Sequence, residues 1–96
     1  MRFEQDVGSP TAQRVVTITS TPTKIFIKSL LYKTLEIYNA DANNTIYFGD
    51  SNVTPTTGMP FLPGSYRFFK GAYNAFAVWL VCATGQTANV NILEYP

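Results

Sequence analysis

The sequence predicts an all-β protein: one antiparallel β-sandwich of about seven short strands, jelly-roll or Ig-like, with a small β-barrel as the alternative. Two observations carry this. Apolar residues alternate with polar ones at period two, and turn-forming residues recur roughly every 8 to 12 positions. A third sets the scale: 96 residues and 10.7 kDa hold one core, which in so short a chain removes only about 60 to 65% of the unfolded surface from water. A closed barrel around a ligand needs more strand residues than remain after the turns, so the sandwich is preferred.

The elements come in order. Residues 14–20 are rich in β-branched side chains, with Val16 and Ile18 on one face and Val15, Thr17 and Thr19 on the other. After a Thr21-Pro22 turn, residues 23–28 alternate Ile25 and Ile27 against Lys24, Phe26 and Lys28, and the two runs are expected to pair antiparallel. Leu35 and Ile37 alternate with Thr34, Glu36 and Tyr38, which makes residues 30–39 a strand and not a helix. Residues 39–44, dense in Asn and Asp, form a turn before a strand at 45–48.

Residues 49–64 hold three prolines and three glycines, so no long regular element is expected there. Val53, Met59, Phe61 and Leu62 should nevertheless pack this loop onto the body. A strand at 65–70 sets Tyr66 and Phe68 opposite Arg67 and Phe69, and residues 71–74 turn the chain. Residues 76–82 are apolar on both faces and predict a central strand covered on both sides, with Trp79 filling space between the sheets. Gly85 and Gln86 should close a last hairpin to a strand at 87–95 with Val90 and Ile92 inward. Residues 1–13 show no clean period and read as an N-terminal arm to a sandwich domain at 14–96.

Composition narrows the chemistry. Charged residues are 14% of the chain, against roughly 25% in ordinary soluble domains. A net charge of +1 offers no clustered positive potential, so nucleic acid is not the expected partner. The chain has no histidine, which removes the usual general base, triad partner and metal ligand together. Cys82 is the only cysteine and lies among Leu80, Val81 and Ala83, so it predicts a buried, inert thiol and no internal disulfide. The opening residues mix both charge signs and lack an apolar segment, and no stretch is long enough for a membrane helix; a cytosol-like compartment and no membrane partner are expected.

Few residues suggest a reaction. Asp41 and Asp50 flank one strand, as an acid pair or as oxygen donors to calcium with Asn43 and Asn52, but each sits in an Asx-type turn. Glu36 and Glu94 cannot be placed in one cleft with them. No catalytic residue, metal or cofactor is predicted. Asn43 and Asn52 begin Asn-x-Thr triplets that read as turns. Tyr32, Tyr38, Tyr47, Tyr66, Tyr73, Tyr95 and Trp79 exceed what a small core needs; most are expected to straddle core and surface of the sandwich, and the competing reading has a subset cover a subunit contact or a glycan. Basic and aromatic residues interleave only at Lys24, Phe26 and Lys28 and at Tyr66, Arg67 and Lys70, a weak nucleic-acid signal that a solvated strand face explains equally.

From residue 46 the pattern becomes more specific. Ile-Tyr-Phe-Gly-Asp-Ser-Asn-Val-Thr, then Thr-Gly-Met-Pro-Phe-Leu-Pro-Gly-Ser, a Phe-rich strand, Val-Cys-Ala-Thr-Gly-Gln-Thr and Val-Asn-Ile-Leu-Glu-Tyr succeed one another through Tyr95. This half of the chain resembles small virion-associated β proteins of tailed phages and prophages, whose pattern runs Gly-x-x-x-Val-Thr, Gly-x-Pro-Leu-x-Pro-Gly, apolar strand, Gly turn, Val-x-Val-Leu-Glu. Phe61-Leu62 departs from it by a small register difference, and the first 45 residues do not match.

The resemblance implies a virion component of the head-decoration, head-fibre or tail-accessory kind, assembled in the host cytoplasm. The expected function is a non-enzymatic capsid decoration or cementing protein. Its expected partners are copies of itself, a trimer favoured, and the major capsid or another virion protein. A carbohydrate- or receptor-binding module of a tail or fibre is the alternative. Expected interface residues are Val53, Met59, Phe61, Leu62 and Trp79, together with the N-terminal arm.

Overall fold

Alternating apolar side chains fold into strands only when each apolar face finds another to cover it, and here two sheets cover each other. The structure, a computed structural model, describes residues 12–26, 33–71 and 77–95. Among them are eight strands: β1 Ala12–Ile18, β2 Thr23–Phe26, β3 Lys33–Asn39, β4 Ile46–Gly49, β5 Met59–Phe61, β6 Tyr66–Gly71, β7 Ala77–Cys82 and β8 Ala88–Tyr95. Sheet A has the order β1-β8-β3-β6 and sheet B the order β2-β7-β4-β5. Every pairing is antiparallel.

Of the seven steps from strand to strand, only β4 to β5 stays within one sheet. Two four-stranded sheets connected in this order make a jelly roll, which decides between the two sandwiches expected. The core lies between the sheets. Ile18, Leu35, Ile37, Val90 and Ile92 enter it from sheet A, and Ile25, Ile46, Phe61, Leu80 and Cys82 from sheet B, all buried. Each large aliphatic side chain so buried contributes about 1.5 to 3 kcal/mol.

The inward faces expected for β1, β3 and β8 are observed, but two expected pairings are not. β1 and β2 do not pair; β1 joins β8 and β2 joins β7. Ile18 and Ile25 are both buried in one cluster, so residues 19–22 carry the chain across the sandwich edge instead of back along the same sheet. Likewise Gly85, at φ 80°, makes a tight turn with Gln86 N–H donating to Ala83 O at 3.0 Å, yet no hairpin results. Both edges of β7 are already occupied by β2 and β4, so β8 goes to sheet A.

Trp79 is also placed differently. Val78, Leu80 and Cys82 take the core face of β7, which sends Trp79 to the outer face of sheet B, half-buried, in the row between Lys24 and Gly49. The outer face of this central strand is covered at Val81 but open at Ala77. The 49–64 segment lacks long elements, as expected, apart from three-residue β5.

β1 begins at Ala12; residues 1–11 of the expected arm, the expected strand residues 27, 28, 30–32 and 76 and the turn residues 72–74, and with them Lys28, Tyr32 and Tyr73, lie outside the described residues.

Candidate functional site: the outer face of sheet A

Strand alternation that sends Val16, Ile37 and Ile92 inward sends their neighbours out, and register aligns those neighbours in rows. Val15, Asn91, Tyr38 and Tyr66 form one row across all four strands. Gln13, Leu93, Glu36 and Phe68 form the next, and Tyr95, Thr34 and Lys70 a third. Val15 is 65% exposed, Tyr66 59%, Phe68 47% and Tyr38 39%. An apolar surface of this kind on one sheet face marks a contact site more often than chance exposure does.

The face is ordered by its own contacts. Tyr66 and Phe68 meet edge-on with ring centroids 6.0 Å apart, and Phe68 lies 6.3 Å from Tyr95. Tyr95 O–H donates to Glu36 Oε1 at 2.7 Å. Burial, the hydrogen bond and the Glu36 charge push the Tyr95 hydroxyl up to about 12. The carboxylate is thereby fixed in the middle of the face. Beside it a shallow depression of about 330 Å3 is lined by Gln13, Val15, Glu36, Tyr38, Asn91 and Leu93.

The five expected interface residues divide. Val53 and Phe61 are buried in the interior of the chain, Phe61 edge-on to Phe48 at 6.1 Å, so they hold the loop down and present no surface. Met59 and Leu62 are each 59% exposed and line, with Pro60, Ser65, Tyr66 and Arg67, a second depression of about 330 Å3. They adjoin the sheet A face through Tyr66. Trp79 stands apart on sheet B. The sequence singled out Tyr38 and Tyr66 as recognition candidates but not Val15 or Phe68, because their shared face depends on the register of four strands.

The acids serve turns. Asp41 Oδ2 accepts the N–H groups of Asn43 at 2.9 Å and Asn44 at 2.7 Å, which hold its carboxyl below the usual carboxylate range. Asp50 Oδ1 accepts Asn52 N–H at 2.9 Å. They lie at opposite ends of β4, whose four residues span roughly 13 Å, and do not converge. Glu94 is inside the sandwich, paired with Arg14 at 2.7 Å. Among the described residues no group of three or more Cys, Asp or Glu is placed to hold a metal ion.

Asn39 ties together the segments beside the site. It is fully buried, and its Nδ2 donates to the carbonyls of Asn44 and Phe61, both at 3.0 Å, while Oδ1 accepts Asp41 N–H at 3.1 Å. Its main chain exchanges bonds of 2.9 Å with Gly64 and Ser65. One side chain thus joins the β3–β4 turn to the end of β5. Cys82 is buried with Sγ 3.7 Å from Ile18 O, and burial, then the Asp41 charge, raises its thiol, so it is a packing residue as expected.

Tyr66 and Arg67 point to opposite faces, the Arg67 guanidinium lies 5.3 Å over the Phe48 ring, and Lys28 lies outside the described residues. No helix among the described residues is long and apolar enough to cross a membrane. No family model matches the chain, and no curated protein or solved structure matches it.

Proposed function

We propose that the chain is a non-enzymatic structural protein of a phage virion, a head decoration or cementing subunit that self-associates and contacts the shell through the outer face of sheet A. One observation supports this reading above the others: Val15, Tyr38, Tyr66 and Phe68 stand exposed in adjoining rows of a single sheet. Leaving that much aromatic surface in water is costly, and burial against protein recovers it. The phage-like loop pattern of residues 46–64 supplies the class of particle. In this reading the partners are other copies of the chain and a capsid or other virion protein, with no nucleic acid or membrane, and the protein is assembled in the host cytoplasm.

Co-sedimentation with virions of the encoding phage tests it. Wild-type protein is expected to pellet with the particles and saturate. A Tyr66→Ser/Phe68→Ser variant, altered only on the exposed face, is expected to stay in the supernatant. A wild-type chain that never pellets overturns the proposal.

A second reading, a saccharide-binding module, is favoured by the depression beside Tyr38, where an aromatic ring stands next to Glu36, Gln13 and Asn91. Silence on a glycan array, with and without calcium, removes it.

A further inference from the structure

Among the described residues four strands end the two sheets: β1 and β6 in sheet A, β2 and β5 in sheet B. An edge strand leaves backbone donors and acceptors open on one side, and proteins guard such edges with proline, charge or shortness. β5 is three residues long with Pro60 at its centre. β2 is four residues long, comes directly after Pro22 and carries Lys24 on its outer face. β6 carries exposed Arg67 and, near its end, Lys70.

Among the described residues β1 is the least guarded of the four, with Arg14 on its inward side as its one protection. It runs seven residues without proline or lysine and stays in unbroken register with β8 from Ala12 to Ile18. Its one charged side chain, Arg14, is on the inward face, bonded to Glu94. The middle residue, Val15, is 65% exposed and ends the apolar row that crosses sheet A.

We infer that β1 pairs edge to edge with β1 of a second copy, antiparallel about a twofold axis at Val15. The inference rests on the self-association proposed above and names the strand that carries it. Pairing about Val15 sets Val15 against Val15, Gln13 against Thr17 and Arg14 against Val16, so no like charges lie directly opposite, and each Arg14 keeps its own Glu94. Sheet A continues across the axis as eight strands, and the rows ending at Val15 join into one surface. A β6 to β6 contact instead gathers Arg67 and Lys70 of both copies along one seam, and a β1 to β6 contact gathers Arg14 of one copy with Arg67 and Lys70 of the other. The contact is twofold, a dimer where the family resemblance implied a trimer.

Sedimentation velocity of the full chain tests it. Wild type is expected to move from monomer to dimer as concentration rises. Val15→Lys and Val15→Glu, at an exposed position, are each expected to keep the wild-type fold and, at concentrations where wild type is monomeric, its melting temperature, while weakening self-association about tenfold or more. Mixing the two variants is expected to restore the dimer, because Lys then faces Glu across the axis. A wild-type chain that stays monomeric, a Val15→Lys chain that keeps wild-type mass, or a mixture without rescue overturns the inference. A trimer that survives Val15→Lys removes this contact and leaves the virion reading standing; loss of virion binding by an intact dimer does the reverse.

Discussion

Arg14 Nη1 donates a 2.7 Å hydrogen bond to Glu94 Oε2 inside the sandwich, where the Arg14 side chain is 19% exposed and that of Glu94 2%. Strand alternation forces both residues inward, and their opposite charges make the placement tolerable. Removing the cation alone leaves a buried carboxylate, so Arg14→Ala is expected to cost about 3 to 5 kcal/mol in denaturant unfolding. The double variant Arg14→Met/Glu94→Leu, which replaces the pair with apolar groups of similar size, is expected to cost less than either single change.

Tyr95 and Glu36 predict the alkaline limit of stability. The Tyr95 hydroxyl is raised from its usual 10 to about 12. The folded chain therefore holds this proton more tightly than the unfolded one. Its contribution is complete below pH 10 and is lost as pH rises through about 12. Tyr95→Phe is expected to lower stability at neutral pH by about 1 kcal/mol and to flatten the decline between pH 10 and 12, read as unfolding midpoints across that range.

Asp41 predicts part of the acid limit. Its carboxyl is held low by the backbone N–H groups of Asn43 and Asn44, so its contribution is present above the usual 3.8 and is lost as pH falls through the lower folded value. Asp41→Asn is expected to be less stable than wild type at neutral pH, with the difference vanishing in acid. A difference that persists unchanged through the acid range counts against this role.

Gly58 predicts how tightly the 49–64 loop is held. A Cβ there would lie 2.7 Å from Val53 Cγ2, 2.8 Å from Tyr47 Cβ and 3.1 Å from Thr54 O. Gly58→Ala is expected to cost about 1 to 3 kcal/mol through overpacking. At Gly64 a Cβ meets nothing, but φ is +76°, so Gly64→Ala is expected to cost only the backbone strain of about 1 kcal/mol. Thermal melts of the two variants separate packing from backbone conformation.

Much of the fold was legible from residue order because strand faces are a local property. Val16 with Ile18, Leu35 with Ile37, and Val90 with Ile92 announce their inward faces at period two, and Asp41 and Asp50 announce their turns by the asparagines two positions on, Asn43 and Asn52. Pairing partners are not local. Nothing between Ile18 and Thr23 distinguishes a hairpin from a crossing to the other sheet, since the same turn residues serve both. Inside the 49–64 loop no period exists, so Phe61 and Val53, which are buried, look like Met59 and Leu62, which are exposed. The outer face of sheet A is the extreme case: Val15, Tyr38, Tyr66 and Phe68 come from three strands and become neighbours only through the register with β8 and β3.

That face is most directly tested by hydroxyl-radical labelling of the chain, free and bound to virions, read residue by residue by mass spectrometry. Tyr38, Tyr66 and Phe68 are expected to lose labelling on binding, while Tyr47 and Trp79 on the outer face of sheet B keep theirs. Equal labelling of all five residues in both states, or protection of Tyr47 and Trp79 alone, would contradict a particle contact through sheet A.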